Sequence, residues 1–341
     1  MLTIDGSRGE GGGQILRTAL GLSLVTGQPF RIHAIRAGRA RPGLLRQHLT
    51  CVQAAAEMGQ ARVVGDTIGS TELTFTPGTL RGGDFRFAVG TAGSALLVWQ
   101  AILPALLRSP HDTTLVLEGG THNPAAPPYD FIERVFAPQL ARMGVDLTLA
   151  LEQPGFYPAG GGRVRAAIRT WSDRRPLHLN ERGALVSETA TALIADIPYG
   201  VAERELATLA TGLGWPAAQC RPLVVRGSRG PGNVLLAEIA SEHVTELVSA
   251  VGERGKSSEK VAAEVIEQVR AYLTHGAPVG EHLADQLMLP LALGAGGSFT
   301  TGPLSMHART QVETMRLFLG DVVRVSESSE QVRVEVAAVA R

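Results

Sequence analysis

One order of elements occurs three times along the chain: helix, strand, loop, helix, glycine stop, strands. In the first copy the glycine-rich segment Gly9-Glu10-Gly11-Gly12-Gly13-Gln14-Ile15-Leu16-Arg17 opens a helix. There Ile15, Leu16, Ala19, Leu20, Leu22 and Leu24 share one broad apolar face. A strand around Phe30–Ile35 follows, then the loop from Arg36 to Gly43, a helix Leu44–Met58 stopped by Gly59, and strands near Ala61–Val64 and Glu72–Phe75. The second copy has Gly90–Ser94, helix Ala95–Leu107, strand Thr114–Leu117, the loop from Gly119 to Pro128, a helix reaching Met143 before Gly144, and strand Val145–Leu151. In the third, helix His282–Leu293 leads to strand Ser298–Thr301, the loop Gly302–His307, helix Arg309–Leu319 stopped by Gly320, and strands Val322–Val325 and Gln331–Val336. One such unit cannot cover its own sheet, whereas three packed around a centre can. The expected class is therefore α/β (α+β), built from three repeated βα units. Extra chain before the third copy carries strands Ala190–Ile197 and Val234–Ile239 and helices Val201–Gly212 and Ser258–Leu273, enough for a small inserted α/β domain. The expected division is 1–183 (units one and two), 184–275 (insertion) and 276–341 (unit three).

Composition narrows the function classes. Basic and acidic residues balance at 32 each, so any nucleic-acid site has to be a local patch rather than a general field. Cys51 and Cys220 are the only cysteines, too few for a disulfide framework or a zinc quartet, which points to a reducing cytoplasm. The N-terminal stretch carries Asp5, Arg8 and Glu10 and has no apolar signal core. The longest apolar run, Ala95–Leu107, is too short and too proline-interrupted to span a bilayer, so no membrane role is expected.

The first glycine loop is neither a P-loop, since no Gly-Lys-Ser/Thr follows, nor the dinucleotide fingerprint, whose spacing it breaks. Two readings fit it: a cradle in which backbone N–H groups approach an anion at a helix N-terminus, or a tight turn that needs glycine for steric reasons alone. No acidic residue occurs from Gly11 through Ala56, a span that contains Arg17, Arg31, Arg36, Arg39, Arg41 and Arg46. Guanidinium forks match phosphate oxygens, and several of these arginines sit in a turn beside a helix start, which favours an anionic substrate over a merely solvated basic face. His307 stands out by position: the repeat should carry the loops Arg36–Gly43, His122–Pro128 and Ser305–His307 to one side of the fold. The turn-rich segment Arg226-Gly227-Ser228-Arg229-Gly230-Pro231-Gly232 reads as a hairpin connection, with RNA contact as the alternative.

Several long motifs occur in order: Gly9–Arg17 as written above, Ile-Arg-Ala-Gly-Arg-Ala-Arg-Pro-Gly-Leu-Leu-Arg-Gln at 35–47, Gly-Phe-Tyr-Pro-Ala-Gly-Gly-Gly at 155–162 and Leu-Ala-Asp-Gln at 283–286. In these the chain resembles the RNA 3′-terminal phosphate cyclases over essentially its whole length. The resemblance implies three repeats like the C-terminal domain of translation initiation factor three plus a small inserted domain. It also implies ATP and a divalent metal, Mg²⁺ or Mn²⁺, converting an RNA 3′-phosphate to a 2′,3′-cyclic phosphodiester. The family's nucleophilic histidine falls on His307 and its metal-side glutamate on Glu10. Its ATP contacts fall on Gln100, Pro127 and the segment His282, Leu283, Ala284, Asp285 and Gln286. Its phosphate-gripping arginines fall on Arg17, Arg36 and Arg39, with Arg46 and Gln47 as neighbours. The chain departs from the family where a tyrosine often precedes Leu-Ala-Asp-Gln; His282 stands there and offers a smaller stacking surface.

The expected chemistry has three steps: attack by His307 on the α-phosphorus of ATP, transfer of AMP to the RNA 3′-phosphate, and ring closure by the 2′-OH with loss of AMP. The partner is RNA with a 3′-phosphate end, and a homodimer is compatible with the sequence. The alternatives are a non-catalytic cyclase-like RNA-binding factor, marked by loss of the loop histidine, and an enolpyruvyl transferase, whose fold also repeats such units.

Overall fold

Four four-stranded mixed sheets make up the computed structural model, which describes residues 1–328 and 331–339; positions 340–341 of the span expected to end the chain lie outside them. The first sheet joins β1 (Leu2–Asp5), β2 (Phe30–His33), β3 (Arg62–Val64) and β4 (Leu73–Thr76) in the order β1-β2-β4-β3. Helix α1 (Gln14–Thr26) links β1 to β2, and α2 (Arg46–Met58) links β2 to β3. The second contains β5 (Gly83–Ala88), β6 (Thr113–Gly119), β7 (Leu147–Gln153) and β8 (Gly162–Ile168) in the order β5-β6-β8-β7. Helix α3 (Ala95–Arg108) precedes β6. A helical stretch follows β6: α4 (Tyr129–Phe131), a π-turn Ile132–Phe136 and α5 (Ala137–Arg142).

The third sheet begins with β9 (Leu177–Leu179), and the chain then leaves it. It first builds β10 (Leu185–Ala195), α6 (Tyr199–Leu213), β11 (Cys220–Val224), β12 (Gly232–Ser241), β13 (Thr245–Val251) and α7 (Ser258–His275), a sheet in the order β11-β10-β12-β13 with two helices. It returns through α8 (Glu281–Leu293), β14 (Gly297–Thr301), α9 (Met306–Leu319), β15 (Val323–Glu327) and β16 (Val332–Val336), completing β9-β14-β16-β15. All three sheets of the main body follow one rule: a leading strand runs parallel to its neighbour, and the next two pairings are antiparallel.

The leading strands β1, β5 and β9 are absent from the unit read in the sequence. Each is a short edge strand, and three to six residues carry too little alternation to declare themselves. Because β9 pairs with β14, residues 177–179 belong to the third sheet rather than to the second unit. A second correction concerns the loop expected over Gly302–His307. It ends at Ser305, whose side chain accepts the Ala308 N–H at 3.2 Å and caps α9. Met306 and His307 therefore sit in the first turn of a helix.

Helix packing decides where the units meet. The second helix of each unit lies against the first helix of the next: α2 on α3, the π-turn segment on α8, and α9 back on α1, so the three units close into a ring. Helix α1 is covered by α2, α3 and α9 and is buried on nearly every face, as a sequence with apolar residues all round it requires. Gly21 permits the closest approach: a Cβ there would stand 2.6 Å from Pro104 Cγ and 3.0 Å from the Ala101 carbonyl of α3. One core gathers these helices and sheets, and a second, separate core lies between β10, β12, β13, α6 and α7. Among the described residues no helix is long and apolar enough to cross a membrane.

One side chain ties the second core to α8. Glu246 of β13 is 2% exposed and accepts the Gly280 N–H at 3.1 Å, capping the helix that carries His282, Asp285 and Gln286. Burial pushes its carboxyl up to about 8, against the opposing pull of the Gly280 N–H and Arg182. The unfolded chain ionises this group at the ordinary carboxylate pH while the folded chain keeps its proton, so ionisation costs stability progressively from about pH 4.5 to about pH 8. Glu246→Gln keeps an acceptor for Gly280 and removes that cost. Its unfolding free energy should therefore gain on wild type between pH 5 and pH 8, by at most about 4 kcal/mol, as read by denaturant melts at the two pH values. An equal gain at both would show that Glu246 is not protonated in the fold.

Candidate active site

Closing the ring brings the start of α9 against the start of α1. Gln14, the first residue of α1, lies between two partners: its Nε2 donates to Asp285 Oδ2 of α8 at 3.1 Å, and its Oε1 is 2.8 Å from His307 Nδ1. A carboxylate only accepts, so Asp285 fixes which end of the amide faces it. The amide oxygen then faces His307, and the ring must place its proton on Nδ1. Nε2 is left with a free lone pair. Partial desolvation, with Arg17 and Arg39 adding to it, holds His307 below the usual histidine range, so the imidazole is neutral at neutral pH. Asp285 is pushed up to about 7 by desolvation in the cavity wall, despite the pull of Arg17.

Glu10 stands on the other side of His307. Its backbone N–H donates to Thr310 Oγ1 of α9 at 3.1 Å, its carboxylate is only 10% exposed, and its Oε1 lies 3.8 Å from His307 Nε2. Arg39 forms an ion pair with the same oxygen. The glycines on either side explain this close approach: a Cβ at Gly9 would meet Thr310 Oγ1 at 2.2 Å, and one at Gly13 would meet His48 Nε2 at 2.4 Å. Close packing against α9 and His48 is thus a sufficient reason for the glycines. His48, buried beside Arg36 and Arg17, is held neutral, its pKa pushed down to about 3 by burial and those two charges.

A cavity of about 360 Å³ opens next to this cluster, large enough for a nucleotide. It brings together Arg17, Gln100, Pro127, His282, Asp285, Gln286 and His307 from four helices and a loop. Leu247 and Val251 of β13 and Lys256 also line it, so the sheet that bears the second core supplies one wall with its other face. Two buried polar atoms of lining residues, Gln286 Oε1 and Asn123 Oδ1, have no hydrogen-bond partner, which suits a ligand that brings its own donors.

Besides Glu10 and Arg39, five expected site residues do not line this cavity. Leu283 and Ala284 are 0% and 1% exposed and point into the core. The helical period of α8 puts 282, 285 and 286 on the cavity side and 283, 284 and 287 on the other. Arg36 is buried, and its Nη1 donates to the carbonyls of Arg41 at 2.6 Å and Gly43 at 2.9 Å. It turns the chain at φ +55° and holds its own loop together rather than lining the cavity. Arg46 is exposed at the first turn of α2, and Gln47 Oε1 accepts the Ser94 N–H at 2.7 Å, the counterpart at the α2–α3 junction of the His307–Gln14 contact. Gln14 itself is the residue that sequence reasoning missed; its only signal was its place in the glycine motif.

Above about pH 7, where Asp285 is ionised, the network predicts a single tautomer. Long-range ¹H–¹⁵N spectra should show His307 with Nδ1 protonated and a titration below 6.5. In Gln14→Leu, which removes the acceptor, the Nε2-protonated form should appear. An unchanged spectrum would show that Gln14 does not hold the ring.

Comparison with known proteins adds the following. A family model described as RNA 3′-terminal phosphate cyclase matches residues 8–325. A protein named RNA 3′-terminal phosphate cyclase from Koribacter versatilis is 51% identical over 337 residues, covering 99% of this chain and 95% of its own. One of the same name from Ectopseudomonas mendocina is 50% identical, covering 98% of each. Among solved structures, the enolpyruvyl transferase NikO from Streptomyces tendae aligns over 96% of this chain and 47% of its own with a TM-score of 0.40 and 12% identity.

Proposed function

The chain belongs to the RNA 3′-terminal phosphate cyclase family, and we propose that it uses ATP to convert an RNA 3′-phosphate into a 2′,3′-cyclic phosphodiester, with His307 as the carrier of AMP. The observation that supports this most is the hydrogen-bonded line Asp285–Gln14–His307 at the edge of the large cavity. A neutral imidazole with Nδ1–H tied to Gln14 presents Nε2 as nucleophile without needing a strong base. Nε2 bonds to the α-phosphorus of ATP, the bond from that phosphorus to the bridging oxygen breaks, and pyrophosphate leaves. The positive charge on the ring is shared with Nδ1–H and so with Gln14. An oxygen of the RNA 3′-phosphate then takes the AMP, breaking the N–P bond and returning His307 to its neutral form. Last, the 2′-OH attacks the activated 3′-phosphorus, releases AMP and gives up its proton. The RNA itself supplies proximity in this step, and the need for a 2′-OH selects RNA over DNA.

Arg17 and Arg39 would carry charge as it gathers on phosphate oxygens, with Arg46 and Gln47 nearby; Arg36 is left with its loop. Pro127 and His282 would flank the base, and Gln100, Asp285 and Gln286 would meet the polar edges of the nucleotide. Glu10 is the carboxylate that would hold Mg²⁺ or Mn²⁺. One carboxylate beside the nucleophile suits a small hard cation that takes its other ligands from water and phosphate. Such a cation supplies charge neutralisation on the triphosphate. Residues 184–275 are read as an inserted domain in a body of three repeats like the C-terminal domain of initiation factor three, a reading supported by the separate core. The two free cysteines, one of them buried, suit a reducing cytoplasm.

Incubation with α-labelled ATP and Mg²⁺ should leave acid-labile label on the wild-type chain in a denaturing gel and none on His307→Ala. Label on the variant would remove His307 as nucleophile, and no label on either would remove the adenylation step. The rate of labelling should fall as pH drops through about 7, because protonated Asp285 no longer demands a donor and Gln14 is free to turn its amide over. If the acid limb lies only below 6.5, where His307 itself titrates, Asp285 has no part in orienting it.

A further inference from the structure

A smaller cavity of about 160 Å³ lies beside the large one, and no step of the proposed reaction uses it. Gly90 and Thr91 ahead of α3, Glu118 of β6, Gly161 and Arg163 at the turn into β8, and Arg229 line it. Two guanidinium groups, Arg86 and Arg163, each reach Glu118 Oε1 at 2.8 Å, so one anion serves two cations. Arg229 has no hydrogen-bond or ion-pair partner among the described residues. The local balance is therefore basic in a chain with no net charge. The turn that faces the cavity is free of side chains for a specific reason. Gly160 and Gly161 take φ +65° and +75°, and a Cβ on the first would stand 2.7 Å from Ala92 Cα and on the second 2.2 Å from Arg229 Cδ. The glycines thus seat the stem of Arg229 against the turn.

The loop that presents Arg229 connects β11 to β12 in the second core, yet it is fastened to the main body. Gln153 Nε2 donates to the Gly227 carbonyl at 3.0 Å, and within the loop Ser228 Oγ donates to the Gly230 carbonyl at 3.0 Å. One hydrogen bond links the linings of the two cavities. Asn123 lines the large one, and its amide donates to the carbonyl of Ala92, next to Thr91 of the small one. Exposed Arg46 adjoins the same junction through the Gln47–Ser94 contact. A polyanion whose end reached the large cavity has only the Asn123–Ala92 contact and the Gly160–Gly161 turn to cross before Arg229.

We propose that the small cavity binds a phosphodiester of the RNA strand upstream of its 3′ end, with Arg229 and Arg163 as the contacts, so that the loop from 226 to 232 is part of the RNA path. This rests on the cyclase reading for the identity of the strand. The test compares a nucleoside 3′-phosphate, which has no upstream phosphodiester, with a ten-nucleotide RNA 3′-phosphate, using wild type, Arg229→Ala and Arg229→Glu. Cyclisation is followed, and binding of the fluorescent ten-nucleotide strand is read separately by anisotropy at several salt concentrations. For the long strand, KM and Kd should rise about tenfold in Arg229→Ala, the order of one charge-assisted contact, and further in Arg229→Glu. The slope of log affinity against log salt should fall by about 0.7 for the charge removed. The mononucleotide and the label left by ATP should not distinguish the variants. Equal binding of the long strand by wild type and Arg229→Glu overturns the proposal. Binding that depends on Arg229 without any cyclisation by wild type supports it while overturning the cyclase reading.

Discussion

The contact of α9 with α1 is the constraint on which the rest depends. An apolar interface between two helices has no strong preference for one register, and this one carries a polar seam that does. Thr18 Oγ1 donates to Gln311 Oε1 at 2.7 Å in the buried interface, Gln14 meets His307 one turn earlier, and the Glu10 N–H reaches Thr310 Oγ1. Gln14 and Thr18 are four apart on α1, as His307 and Gln311 are on α9, so the two pairs come into line together. Sliding either helix by a turn would break every pair at once. Each buried group left alone would cost about 1–3 kcal/mol, a total comparable with the stability of a whole domain. The register that closes the ring is therefore the one that sets His307 beside Gln14 and Glu10.

The same logic ties the second core to the site. Helix α8 presents His282, Asp285 and Gln286 to the cavity, and the N–H of its cap residue Gly280 ends on Glu246 of β13. Arg182 donates to the Ala277 carbonyl at 2.7 Å and also to that of Tyr272, and the Tyr272 hydroxyl donates to Pro278 O at 3.0 Å. The segment that returns from the second core to α8 is thus pinned over its whole length. With Leu247 and Val251 in the cavity wall, the extra chain shapes the site as well as extending the molecule.

How much of the site was legible depended on the kind of signal. His307 and Glu10 were singled out because a motif and a loop position marked them, and the structure sets His307 Nε2 3.8 Å from Glu10 Oε1. Residues 282, 285 and 286 were legible as a segment, but a segment does not state which of its residues face a ligand. Only the helical period, once the start of α8 is known, turns Leu283 and Ala284 into the core. Arg36 misled because a basic residue in a turn looks the same whether it grips a substrate or its own loop; the two carbonyls that occupy its Nη1 are a tertiary fact. Gln14 was overlooked for the opposite reason, since a neutral amide has no charge or spacing to declare its two partners.

The sequence alone determined the order of the helices and of most central strands, the glycine and proline stops, the absence of a general basic field, and the residue types able to carry phosphate chemistry. These follow from local propensity and composition, which a linear chain displays directly. The tertiary structure decided which faces meet: that the third unit closes on the first, that β9 starts a sheet completed more than a hundred residues later, that Asp285 orients Gln14 and Gln14 orients His307. Those choices are made by burial and by the need to pair every buried donor and acceptor. That need becomes defined only when segments distant in sequence share one interior.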